Sequence, residues 1–277
     1  MIRLLKIELF KLWNNKLVKV LIFLYLGLLS LLALLTAVKF NIGLFTFDLA
    51  KEGIFDFPIV WKIAAFITAW FKVFLAIIII NSITMEYSGR TLKQNLIDGL
   101  SKREFLFSKF LAVVFFSLVA TLFITVLSSL LGWIHSADYT MSEYFEGYIY
   151  MLGYLVKHIA FISFCMLLAF LIRKSALTLG LVFVWYVFEV IILLVIRWTF
   201  DMPELATELN HYLPLMSIYY LTPEPFSQLE TAQQMGQAMG AEVNYDNGFG
   251  VKAFVTALLW IGVYLFLSFR LLKKRDL

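Results

Sequence analysis

The sequence predicts an all-α, polytopic membrane protein, and three observations carry that prediction. Of its 277 residues, 62% are hydrophobic and only 15% charged, against about 45–50% and about 25% in an average soluble domain. The mean hydropathy is +0.87, so the chain holds more apolar side chain than one soluble core buries, and the surplus has to face lipid. Finally, six apolar runs reach the roughly 20 residues that a helix needs to cross a ~30 Å hydrocarbon core.

Those runs cover about residues 17–38, 59–85, 107–133, 148–172, 177–196 and 251–269, and we take 1–277 as one transmembrane domain. Their orientation follows from the basic residues. Arg3, Lys6, Lys11 and Lys16 precede the first span, and Arg90, Lys93, Lys102, Arg103 and Lys109 lie between the second and third. Arg173 and Lys174 separate the fourth and fifth, and Arg270, Lys273, Lys274 and Arg275 follow the sixth. These make up most of the 23 Lys and Arg, whereas 134–147 and 198–250 contain none. The positive-inside rule then puts both termini in the cytoplasm. A distribution that encodes topology leaves no basic patch for nucleic acid.

The first element lies ahead of the spans. In Met1–Asn15, Ile2, Leu5, Leu9, Leu12 and Trp13 recur at helical spacing, with Arg3, Lys6 and Lys11 elsewhere on the wheel. This predicts an amphipathic helix lying along the cytoplasmic headgroups. The run after Lys19 is long enough to be a retained span rather than a cleaved signal.

Between spans two and three, the segment from Glu86 to Glu104 is too polar for the membrane and too patterned for a plain connector. Leu92, Leu96 and Ile97 form an apolar stripe, which predicts a short amphipathic helix over Thr91–Asp98, stopped at Gly99. Ser101-Lys-Arg-Glu104 is a capping box that opens the next helix, whose hydroxyl and carboxylate satisfy free amides of the first turn. A short helix with an apolar stripe, held between two spans, is expected to be a handle for a soluble partner, the alternative being that the stripe packs against lipid at the interface.

Glu86, then Gly89 with Thr91 and Leu92, then Ser101 with Arg103, and Lys109 opening the third span resemble the sequence between spans two and three of the ABC transporter type-2 permease family. The chain departs from that pattern where Arg90 separates the glycine from the threonine and where Gly99 stands near the family's usual proline. The resemblance implies a coupling helix and an ATP-binding cassette subunit docking on Glu86, Arg90, Thr91, Leu92, Lys93, Leu96, Ile97, Asp98, Ser101, Arg103 and Glu104. It also implies a second permease subunit, a further copy of this chain or a different one, and an exporter in the bacterial cytoplasmic membrane.

The loop over 198–250 holds Pro203, Pro214, Pro223 and Pro225. Its stretch Leu213–Leu221 is apolar enough to dip back toward the membrane, where irregular backbone is tolerated only against protein or a cavity. Related permeases place re-entrant helices there, and residues 228–250 read as surface loop.

Three charges interrupt the spans: Lys72, Lys157 and Glu189. Each lies roughly 21 to 24 Å above the inner boundary, a depth at which an ionised group is paired or faces water. Glu189 bridging one or both lysines, within a chain or across a dimer interface, is the leading expectation; a polar ring in the substrate route and lysines snorkelling to the outer surface are the others. His158 reads as a satisfied core residue. Cys165 is the single cysteine, so no disulfide framework and no cysteine-rich metal site can form.

The chain has no Gly-x-x-x-x-Gly-Lys-Ser/Thr loop and no His-Glu-x-x-His or Gly-x-Ser-x-Gly motif, so it is expected to bind no cofactor and to leave ATP and magnesium to a partner subunit. The expectation is a permease moving a hydrophobic or amphipathic cargo. The alternative from another class is an ion- or proton-coupled carrier that relays through Lys72, Lys157 and Glu189.

Overall fold

The computed structural model describes residues 2–34, 39–42, 45–48, 53–89, 91–136, 139–228 and 249–274. Helix α1 (Ile2–Trp13) meets α2 (Lys16–Leu34) at an angle of 92°. Two asparagines form the elbow. Asn14 Nδ2 donates to the Phe10 carbonyl at 2.9 Å, while Asn15 Oδ1 accepts from the amides of Leu17 and Val18 at 2.9 and 3.4 Å. Each thus occupies one end group of a broken helix, which is why the chain turns there rather than continuing.

An antiparallel hairpin of β1 (Lys39–Ile42) and β2 (Phe45–Asp48) follows, in register from Lys39 opposite Asp48 to Ile42 opposite Phe45. The fold is otherwise helical, as expected, and this hairpin is a local addition to it. Aromatic and β-branched residues favour extended backbone here. The first span was expected to run to Val38; α2 ends at Leu34, and 35–38 fall outside the described residues.

Span two is α3 (Ile59–Thr68), a 3-10 turn (Ala69–Phe71) and α4 (Lys72–Ser88). The short α5 (Thr91–Ile97) leads through Gly99, at φ +97°, to α6 (Lys102–His135). Only glycine takes that left-handed turn without strain. The expected capping box is formed in full: the Ser101 hydroxyl accepts from the Glu104 amide, and the Glu104 carboxylate accepts from the Ser101 amide. A second box, Thr140 with Glu143, opens α7 (Met141–Glu146) just before α8 (Tyr148–Ile172). Then come α9 (Ser175–Trp198), α10 (Pro203–Asn210), 3-10 turns at Ser217–Leu221 and Phe226–Gln228, and α11 (Val251–Lys274). Among the described residues, five segments, 59–88, 102–135, 141–172, 175–198 and 251–274, are long and apolar enough to cross a membrane, and the bent α1–α2 pair makes up to six.

Helix α8 is the centre of the bundle, packed on α4, α6, α9 and α11. Helix α9 is peripheral and buries only Thr178 and Glu189 of its length. The segment after α10 folds back onto the bundle: Leu215, Ser217, Ile218 and Leu221 are buried, and the 3-10 turn touches both α8 and α11. Trp260 Nε1 donates to the Tyr212 carbonyl at 2.9 Å and fixes its entry.

This contact depends on Gly153 of α8, where an added Cβ would stand 2.4 Å from the Leu221 carbonyl oxygen. Gly153→Ala should therefore cost about 1–3 kcal/mol through overpacking, read as a lower melting temperature in detergent. Gly180→Ala, with nothing within 4 Å of the new methyl, is the matched control. Equal melting of the two variants would mean that the turn does not press on α8.

Candidate functional site

Two groups of charged side chains lie inside the bundle. The first joins α1, α4 and α6 at the end of the molecule that carries the basic flanks. Lys109, fully buried on α6, donates to Glu8 Oε1 of α1 at 2.6 Å, to Glu86 Oε1 of α4 at 2.7 Å and to Ser82 Oγ of α4 at 2.7 Å. All three ammonium hydrogens are used. The Ser82 hydroxyl in turn donates to Glu8 Oε1 at 2.7 Å. Lys11 approaches Glu86 Oε1 at 3.4 Å from the partly exposed edge, a second cation against the second carboxylate. Burial pushes the Glu8 carboxyl up, but the Lys109 ammonium, its hydrogen bond, the Ser82 hydroxyl and Lys11 together hold it below the ordinary value of 4.5.

Taking such charges out of water is costly, and the arrangement persists only because each finds its partner. Its consequence is mechanical: one side chain ties the amphipathic helix to the ends of two spans, and α5 hangs between those same two spans.

The residues expected to receive a partner divide accordingly. Glu86 is buried in the Lys109 cluster, so its carboxylate faces inward. Leu92 is buried against the α4 end and Leu96 half-buried, so most of the expected apolar stripe faces inward. That inward turn follows from hydrophobic burial, since the spans offer apolar surface next to α5. Exposed are Thr91, Lys93, Asp98, Ser101, Arg103, Glu104 and Ile97, the last at 70%. Arg90 lies outside the described residues.

The second group holds the three charges inside the spans, and here the expected pairing is not formed within the chain. Glu189 accepts from Trp185 Nε1 at 2.6 Å, from the Leu215 amide at 2.9 Å and from the Met216 amide at 2.9 Å. It is the anchor of the folded-back segment. Lys157 donates to Thr222 Oγ1 at 2.6 Å, and its ammonium lies 5.5 Å from the Tyr219 ring. Lys72, at the first turn of α4, donates to the Ala69 carbonyl at 3.2 Å and sits 5.0 Å from the Phe161 ring. Sequence spacing placed these groups at one depth but could not see that backbone amides, free because 213–216 is not regular helix, would reach the carboxylate first. Among the described residues no ion pair joins Glu189 to either lysine, so a continuous relay is not assembled.

His158 sits beside this group, its Nδ1 within 2.8 Å of the Tyr154 carbonyl and its Nε2 3.5 Å from Tyr25 Oη. It is a buried, hydrogen-bonded core residue, and no cluster able to hold a metal occurs among the described residues.

Sequence reading missed the role of Glu8. The signal was present, because Glu8 is the one acidic residue in an otherwise basic amphipathic stretch and Lys109 a lone cation in an apolar run.

The bundle of up to six spans agrees with one comparison. The sequence model of the family described as ABC-2 family transporter protein matches residues 12–277. No curated protein matches the chain. The chain belongs to the ABC-2 transporter family and is a multi-pass membrane permease, the subunit type that does not itself hydrolyse ATP.

Proposed function

We propose that this permease is the transmembrane subunit of a bacterial ABC exporter, with both termini in the cytoplasm. A separate cassette subunit docks on the exposed face of α5 and the capped start of α6. Two permease subunits, two copies of this chain or this chain with another, surround the route, and closure of the cassettes tilts spans to move a hydrophobic or amphipathic cargo. The apolar, aromatic composition of the spans supports that cargo class, and the family's usual pairing with an ATP-binding subunit supports the partner.

One observation carries the reading. The Lys109 cluster joins α1, α4 and α6, so a push on α5 is delivered to three helices at once rather than absorbed by a loose loop. In this scheme the segment 213–221, held by Glu189, acts as a re-entrant lid on the far side.

The test is purification of the tagged chain from its native membrane in mild detergent, with ATPase activity assayed in whatever accompanies it. Wild type should bring down an ATPase. The Lys93→Glu, Ile97→Asp variant should lose it while melting at the wild-type temperature, since both side chains are exposed. An ATPase that stays with the variant moves the docking surface elsewhere. A chain that comes down alone under conditions preserving other complexes removes the coupling reading.

A further inference from the structure

At the same basic end, away from the Lys109 cluster, α6 and α11 enclose an apolar groove of about 320 Å³. Leu106, Phe107 and Phe110 form one wall, and Leu265, Phe266 and Phe269 the other. Phe107 and Phe266 remain 45% and 58% exposed, so the groove opens sideways between two membrane helices, where lipid is.

Arg103 lines the groove, and Arg270 rests on a phenylalanine of its wall. Arg103 lies 5.2 Å from the Phe269 ring and Arg270 5.5 Å from the Phe266 ring. Neither forms an ion pair among the described residues. The adjacent carboxylate, Glu104, is taken up by the amide and hydroxyl of Ser101. A guanidinium resting on an aromatic face keeps its in-plane N–H donors free, and their fork matches a phosphate.

We propose that this groove binds an anionic phospholipid of the leaflet on the basic side, with an acyl chain between the phenylalanines and the phosphate between Arg103 and Arg270. Two cations without an ion pair among the described residues favour an anionic lipid over a zwitterionic one at the headgroup level. The site rests on membrane insertion alone. It is tested on the chain without any cassette subunit, so its failure and that of the coupling reading are separate results.

The experiment is native mass spectrometry of the chain released from nanodiscs made of equal phosphatidylglycerol and phosphatidylcholine. Wild type should retain phosphatidylglycerol in preference. Arg103→Gln with Arg270→Gln should weaken that preference about tenfold or more, while Arg103→Lys with Arg270→Lys keeps most of it. Lys16→Gln with Lys19→Gln removes equal charge from the α1–α2 elbow and should leave it unchanged. Melting temperatures in phosphatidylcholine alone show that the variants are folded. The proposal is overturned if wild type shows no preference, or if the elbow variant loses as much as the arginine variant.

Discussion

Lys109→Met is expected to destabilise the protein by about 3–5 kcal/mol, because it leaves the Glu8 and Glu86 carboxylates buried without their cation. In detergent this should appear as a melting temperature lower by on the order of 10 °C. Adding Glu8→Gln and Glu86→Gln should recover most of the loss, since a neutral cluster of similar shape carries no unpaired charge. A Lys109→Met protein that melts with wild type would show that the cluster holds nothing together. A rescue that fails would locate the loss in packing instead.

The same cluster has a pH signature. The folded Glu8 carboxyl lies below its ordinary value of 4.5, so its contribution is fully present above that value and is lost as the pH falls through the depressed folded one. The stability difference between wild type and Glu8→Gln should accordingly be constant from neutral pH down to about the ordinary glutamate value. Below it the difference should shrink.

Glu189→Leu is the second large effect. It removes the acceptor for two backbone amides and an indole N–H, and each buried donor left without a partner costs about 1–3 kcal/mol. We expect a lower melting temperature and faster proteolysis within 198–250, because the segment at Leu215 and Met216 loses its tether. Glu189→Gln keeps an acceptor oxygen and should fall between wild type and the leucine variant. Lys72→Met should not rescue either substitution, since Lys72 rests on the Ala69 carbonyl and the Phe161 ring. Rescue by Lys72→Met would restore the ion pair that spacing alone suggests.

What was legible in the sequence is local or additive. Span positions follow from runs of apolar side chain, and α8 begins and ends at Tyr148 and Ile172 as counted. The Ser101 cap was readable because its partners are three residues apart. The α1–α2 elbow was half readable: the change from amphipathic to uniformly apolar marks the boundary, but the 92° turn depends on which way two asparagine side chains point.

Sequence alone, then, determined that the chain is a multi-span membrane protein, about where its spans lie, and that a short helix follows the second of them. Only the tertiary structure decided which charge meets which. Depth along a helix is additive and can be counted, whereas partnership depends on the rotation of each helix about its axis. Glu8 finds Lys109 across 101 residues of chain, and Glu189 is claimed by backbone amides whose availability comes from a fold-back with no periodic signal. Buried charge goes to whichever donor can desolvate with it at least cost, and that donor is chosen by packing.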